Sequence, residues 1–319
     1  MQSDTACGLH SARARVGKMN VKALWGVVRR HKWKMIGGYV VSTATVYAIA
    51  TRQRGAPDTP THCHVDPATR EFQGTPTPAT AAQHAHTTRQ HVGSSSDIDT
   101  FDSMAKDYDR DTGMDELVMG LPLLRRALMR HAKGRVLEVS CGTGRNLPYL
   151  CKSRDVEEVT VTDVSPAMLG IASTKVTEAG LSGRKPLIFR RMDATNLSFR
   201  DGSFDTVIDT FGLCSCDRPV HALREMARVC KPADAGGRIL LLEHGKSPYG
   251  WLTAILDKHA PRHAARWGCW WNRDIEALVA KAGLVVETSR RFHFGTSKYI
   301  IARPPGRSSV NSEHRANSS

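Results

Sequence analysis

Between residues 98 and 302 the apolar positions switch between two periods. Short apolar runs at 135–139, 158–162, 187–191, 204–210 and 238–242 suit buried strands, and two more follow at 285–291 and 298–302. Helical patterns fall between them at 147–151, 166–179, 220–229 and 273–282. Strands alternating with helices predict an α/β fold whose parallel sheet is covered on both faces. In such sheets ligands bind beyond the carboxyl ends of the strands, where the strand order reverses.

Outside that span the pattern changes. Residues 1–34 are basic and nearly free of acid, which reads as a targeting segment of the mitochondrial type. An uncharged stretch follows at 35–50; at 1.5 Å per residue its sixteen positions reach roughly 24 Å, short of a ~30 Å hydrocarbon core unless Trp33 and Lys34 extend it. A single membrane span over 35–51, a cleaved signal and a soluble helix all remain open for it. Residues 52–97 are rich in Pro, Thr, Ala, His and Ser and read as a disordered linker, and 305–319 as a disordered tail. The folded domain that carries the function is therefore expected over 98–304.

Charge and cysteines narrow the chemistry. The net charge is +14, yet residues 1–57 hold ten Lys/Arg against Asp4 alone, so most of the basicity belongs to the N-terminal device. A nucleic-acid partner is not indicated, since the folded part lacks a basic surface interleaved with aromatics. The eight cysteines contain no C-x-x-C pair, and no His/Cys cluster has zinc-ligand spacing, so no metal is expected; the His-Cys-His of THCHVD at 61–66 reads as accidental.

The loop after the first strand carries the first functional signal. Ser140-Cys141-Gly142-Thr143-Gly144 is small-residue rich, but neither register supplies the third glycine of a pyrophosphate-binding G-x-G-x-x-G. Glu138 stands just before it. A carboxylate there repels a diphosphate and favours an ammonium group. Asp163 ends the second strand, where acids accept hydrogen bonds from a ribose diol. Asp193 follows the third, within reach of an exocyclic adenine amine. Singly, Asp163 is also an ordinary helix-start residue before Ser165-Pro166, and Asp193 an ordinary turn residue. Together, at successive strand ends, the three acids describe S-adenosyl-L-methionine.

Four stretches in order, LEVSCGTGRN (137–146), TDVSPAML (162–169), DATNLSFRDGSFDTV (193–207) and REMARVCKPADAGGRILLLEHG (224–245), resemble class I SAM-dependent methyltransferases of the UbiE-like group. LLEHGKSPYGWL (241–252) and WGCWWNRDIEALVAKAGL (267–284) are similar to the mitochondrial inner-membrane OMS-type branch. The resemblance covers about 101–304. It implies a Rossmann-like, seven-stranded, mostly parallel sheet with a terminal antiparallel strand. It further implies a cofactor lining of Glu138, Ser140, Gly142, Gly144, Asp163, Val164, Met168, Asp193, Ala194 and Thr210. Ser140 replaces the family's first loop glycine, which a negative φ would allow. FGLCSCDRP (211–219) replaces the Asn/Arg-containing segment of quinone-biosynthesis members.

The implied activity is methyl transfer to a small lipophilic acceptor by an enzyme anchored, single-pass, in the mitochondrial inner membrane; a catalytically degenerate assembly factor is the alternative. His244 is the candidate base, or a loop histidine. Tyr108 lies on a helix that either closes the pocket or only packs. Cys214 and Cys216 read as buried thiols. The tryptophans of 249–271 read as an aromatic lid, as packing or as a lipid contact. Oligomeric state is left open.

Overall fold

The computed structural model describes residues 95–305, with side chains from 98 onward. The expected targeting segment, the stretch at 35–51, most of the expected linker and nearly all of the expected tail lie outside the described residues. No helix among the described residues is long and apolar enough to cross a membrane.

The chain begins with two helices, α1 (Ser95–Val118) and α2 (Leu121–Met129), and continues β1 (Gly134–Val139), α3 (Leu147–Leu150), β2 (Val156–Asp163), α4 (Pro166–Glu178), β3 (Leu187–Arg191), β4 (Thr206–Thr210), α5 (Pro219–Val229), β5 (Arg238–His244), α6 (Gly250–Trp267), α7 (Ile275–Lys281), β6 (Val285–Phe292) and β7 (Ser297–Arg303). The seven strands form one sheet in the order β3-β2-β1-β4-β5-β7-β6. β1 to β5 pair in parallel, and β7 is antiparallel to both β5 and β6. The order reverses between β1 and β4, so the crevice of a doubly wound sheet opens there.

The central strands are buried on both faces, which is why they read as continuous apolar runs. Val136 and Leu240 pack into one layer, Leu137, Val139 and Leu241 into the other, all fully buried. Each such side chain contributes roughly 1.5–3 kcal/mol through removal from water. Leu223, Met226 and Val229, on one stripe of α5, close the second layer against Leu278 and Val279 of α7. Local signals set the helix starts: Ser165 caps α4 by accepting from Met168 N, with Pro166 next, and Asp274 caps α7 by accepting from Ala277 N.

Three helices differ from the sequence expectation. α2 was not separated from its surroundings because Arg125 interrupts its apolar stripe, yet Leu121, Arg125, Leu128 and Met129 are all buried. α1 extends well beyond the Tyr108 segment. α6 covers much of the tryptophan-rich stretch despite Pro261, and only Leu256 and Ala260 of its residues are buried.

Candidate active site

The loop after β1 holds three residues with positive φ: Ser140 (49°), Gly142 (53°) and Gly144 (74°). Ser140 therefore does not meet the condition, a negative φ, under which a serine replaces glycine here without strain. The chain must turn sharply out of β1 so that Cys141 N can reach Thr162 O at 3.0 Å, and that turn is left-handed. A left-handed serine costs on the order of 1–3 kcal/mol. Phe211, at the neighbouring end of β4, has φ 62°, so two strained non-glycine residues stand on the same rim. A side chain at Gly212 would come within 2.6 Å of Ser140 Cβ, so the two turns pack directly against each other.

A cavity of about 350 Å³ opens over these turns. Eight of the ten expected cofactor residues line it: Ser140, Gly142, Asp163, Val164, Met168, Asp193, Ala194 and Thr210. Asp163 is fixed by its own backbone surroundings, with Gly142 N donating to Oδ2 at 2.7 Å and Ser165 N to Oδ1 at 2.9 Å. Burial raises its carboxyl above the usual value, and these backbone bonds oppose the rise. Asp193 Oδ1 accepts from the Thr195 amide and hydroxyl, both at 2.8 Å. These bonds orient the two acids along one wall.

Glu138, Gly144 and His244 stand outside the lining. Glu138 lies beneath it, 1% exposed, with Oε1 accepting from Asn146 Nδ2 at 2.8 Å. Burial pushes its carboxyl up to about 7. Gly144 serves packing: a Cβ there would meet Leu147 Cδ1 at 2.7 Å and Ala172 Cβ at 2.9 Å. His244 sits behind Phe211, its ring 4.5 Å from that ring centroid to centroid, with Nδ1 3.6 Å from Cys269 Sγ.

Sequence reasoning missed the floor of the site. Arg125 is 6% exposed and lines the cavity; its Nη1 donates to Thr210 Oγ1 at 2.8 Å and Asn146 Oδ1 at 3.2 Å, and Nη2 to Glu116 Oε1 at 3.0 Å. Its guanidinium carbon lies 5.0 Å from the Phe211 ring centre. The signal was available: an arginine at a buried position of an amphipathic stripe needs a polar reason to be there. Asn146, fully buried, also donates to Thr210 Oγ1 at 2.9 Å and so links β1, α2 and β4.

α1 closes the cavity with Phe101 and Tyr108. Charges hold it down. Asp109 accepts from Thr143 Oγ1 at 2.7 Å and Arg145 Nε at 2.9 Å and pairs with Lys175, while Glu116 pairs with Arg145 at 2.6 Å. These cations hold both carboxyls below the usual range despite burial. Burial raises the Tyr108 phenol to about 12, so it keeps its proton and serves as a donor or a wall.

A methyltransferase-domain family profile matches residues 137–241. A phosphatidylethanolamine N-methyltransferase of Cereibacter sphaeroides is 39% identical over 168 residues, 52% of this chain and 77% of that protein. The chain belongs to the SAM-dependent methyltransferases.

Another relative of this methyltransferase is the yeast mitochondrial methyltransferase OMS1, from Saccharomyces cerevisiae: 36% identical over 220 residues, covering 65% of this chain but 46% of OMS1. The chain therefore spans about half of that relative's length. A Bdellovibrio bacteriovorus ubiquinone/menaquinone C-methyltransferase is 36% identical over 151 residues, 46% of this chain and 60% of that enzyme. Among solved structures, a chain from the complex of the Haloferax volcanii Trm112 methyltransferase activator with a methyltransferase superposes with TM-score 0.51 at 19% identity, covering 64% of this chain and 97% of that one; it shows the same fold.

The family's cofactor is S-adenosyl-L-methionine, and the residues present fit it. Arg125 Nε and Glu138 Oε2 are buried polar atoms without a hydrogen-bond partner, and both belong to residues flanking the cavity floor. A zwitterionic amino-acid group is the chemistry that such a donor and such an acceptor together accommodate.

Proposed function

We propose that this chain transfers a methyl group from S-adenosyl-L-methionine to a small lipophilic acceptor at a mitochondrial membrane. The observation that carries the reading is the joint placement of Asp163, Asp193 and Arg125 around one cavity beside the left-handed turns of β1 and β4. The cofactor supplies a methyl group already activated by a sulfonium. Asp163 accepts from the ribose hydroxyls and Asp193 from the adenine amine. Arg125 takes the carboxylate, and Glu138, through the floor, favours the ammonium. Tyr108, Phe101 and Phe211 exclude water. With His244 behind Phe211, the walls offer alignment, which by itself contributes roughly 7–11 kcal/mol when geometry is good.

Support for a lipophilic acceptor comes from two sides. Tyr249, just before α6, and Trp251 and Ile255 within it are 51%, 57% and 49% exposed, an apolar patch at a helix that also carries Lys258, Arg262 and Arg266. Relatives are named for phosphatidylethanolamine and menaquinone, both lipids. The mitochondrial assignment is supported by OMS1 and by the basic first 34 residues, and the anchor by the uncharged stretch at 35–50.

Calorimetric titration with S-adenosylhomocysteine tests the site: binding is expected for the wild type and lost in Asp163→Ala, and equal binding by both overturns the assignment. Incubation with labelled S-adenosyl-L-methionine and a membrane lipid extract tests the reaction. The position of His244 favours a second reading, a cofactor-binding assembly factor without turnover; incorporation of label into lipid excludes it.

A further inference from the structure

Beside Phe211 and outside the cavity lining, three ligating side chains meet. Cys214 comes from the loop after β4, His244 from the end of β5 and Cys269 from the turn after α6. Their ligand atoms all lie within 4.8 Å of one another, the one such group among the described residues. The two sulfurs are 3.2 Å apart and Cys269 Sγ is 3.6 Å from His244 Nδ1. Cys214 is 1% exposed and Cys269 7%.

We propose that Cys214, His244 and Cys269 bind one zinc ion, with its fourth position left to a water or a small anion. A tetrahedral ion with bonds of about 2.3 Å to sulfur and about 2.0–2.1 Å to nitrogen sets sulfur and nitrogen about 3.5 Å apart and the two sulfurs about 3.7 Å apart. The Cys269–His244 separation of 3.6 Å already matches, and the sulfurs, 3.2 Å apart, need to open by about half an ångström. A trigonal ion would spread both pairs further. Two sulfurs and one imidazole are a soft donor set, suited to zinc over magnesium or calcium.

The backbone around the group is fixed independently of any ion. Trp270 N donates to Cys214 O at 2.8 Å, tying the two cysteine segments together. Arg273, fully buried, donates through Nη1 to Leu213 O and Cys216 O, both at 2.5 Å, on either side of Cys214. His263 Nδ1 lies 2.8 Å from Cys269 O and its ring stacks on Trp271 at 3.9 Å. Such outer contacts orient metal ligands.

Charge balance points the same way. Asp209 and Glu243 are buried in this part of the sheet, and each has an oxygen without a hydrogen-bond partner; Glu243 Oε2 is the acceptor for Cys214 N at 3.4 Å. On binding, the two thiols release two protons, and two thiolates with one divalent ion form a neutral unit that tolerates burial beside these acids.

The test is the metal content of the full-length chain, purified with reductant and without chelator. One zinc per chain is expected, falling at least tenfold in Cys269→Ser and in Cys214→Ser. A variant with His62, Cys63 and His64 changed to Ala, all outside the described residues, is expected to keep its zinc. Because a buried cysteine variant can fail to fold, cobalt exchange into the wild type gives a second reading: thiolate-to-cobalt charge-transfer absorption with the d–d bands of tetrahedral coordination is expected. Absence of stoichiometric zinc, copper in its place, zinc unchanged in both cysteine variants, cobalt bands lacking thiolate character, or a Cys214–Cys269 disulfide found by mass spectrometry in the reduced preparation would each overturn the proposal. None of these readouts depends on methyl transfer.

Discussion

The rim of the sheet has two halves, and they are built on opposite plans. Over β1, β2 and β3 the polar side chains face an open cavity, and Asp163 is held by amides from its own strand end and the adjacent loop. Over β4 and β5 Thr210 and Cys216 still line the cavity, but Asp209, Cys214 and Glu243 are sealed, and the backbone beside Cys214 is held from far along the chain by Arg273, reaching back 57 and 60 positions. The first half recognises through side chains that remain reachable. The second organises the wall and turns it into a rigid support. Phe211 is common to both, 5.0 Å from the Arg125 guanidinium carbon and 4.5 Å from the His244 ring.

The contrast can be broken most severely at Arg273. Arg273→Met removes two hydrogen bonds from a buried charged donor and leaves two carbonyls without it, so a loss of about 4–5 kcal/mol in urea-induced unfolding is expected, with zinc content falling as well. Asp163→Ala should act on the other half alone. Loss of two bonds to a charged acceptor weakens S-adenosylhomocysteine about 1,000-fold, or about 4 kcal/mol, while zinc content stays near wild type; the Gly142 and Ser165 amides lose their acceptor, so stability is expected to fall by about 1–3 kcal/mol.

Glu138 tests the floor between the halves. Its carboxyl is raised from 4.5 to about 7 in the folded chain, so between those values the folded state holds a proton that the unfolded state has lost. Stability contributed by this group is full below pH 4.5 and is lost as pH rises through 7, by roughly 3 kcal/mol. Asp163, Asp209 and Glu243, also raised by burial, add with the same sign. Glu138→Gln should therefore flatten the decline in a series of unfolding curves from pH 5 to pH 8. The smallest effect belongs to Ser140→Gly. Relief of the left-handed turn, less the added freedom of the unfolded chain, is expected to stabilise by about 1 kcal/mol, read as a rise in Tm.

How legible each part was follows from the distance between the residues that make it. The β1 loop, Asp163 and Asp193 were readable because each site residue lies at the end of its own strand, and the alternation of apolar runs marks those ends. α6 was not, because Pro261 and a scattered apolar pattern obscure its period, and its Trp251 and Ile255 face outward where no core imposes a stripe. Arg125 was hidden among the leucines of α2 although its position was a core position. Ser140 was visible as a departure, but whether its φ was positive depended on how β1 and β4 turn against each other.

Sequence alone determined the α/β class, the order of the strands along the chain, the family and the cofactor, since these rest on local periodicity and on short motifs whose members are neighbours. Tertiary structure decided which acids reach the cavity, that Glu138 lies beneath the floor, that His244 is not part of the lining, and that Cys214, His244 and Cys269 meet. Residues brought together from positions 55 apart share no periodicity, so only the packing of β4, β5 and the turn after α6 places their side chains within bonding distance of one ion.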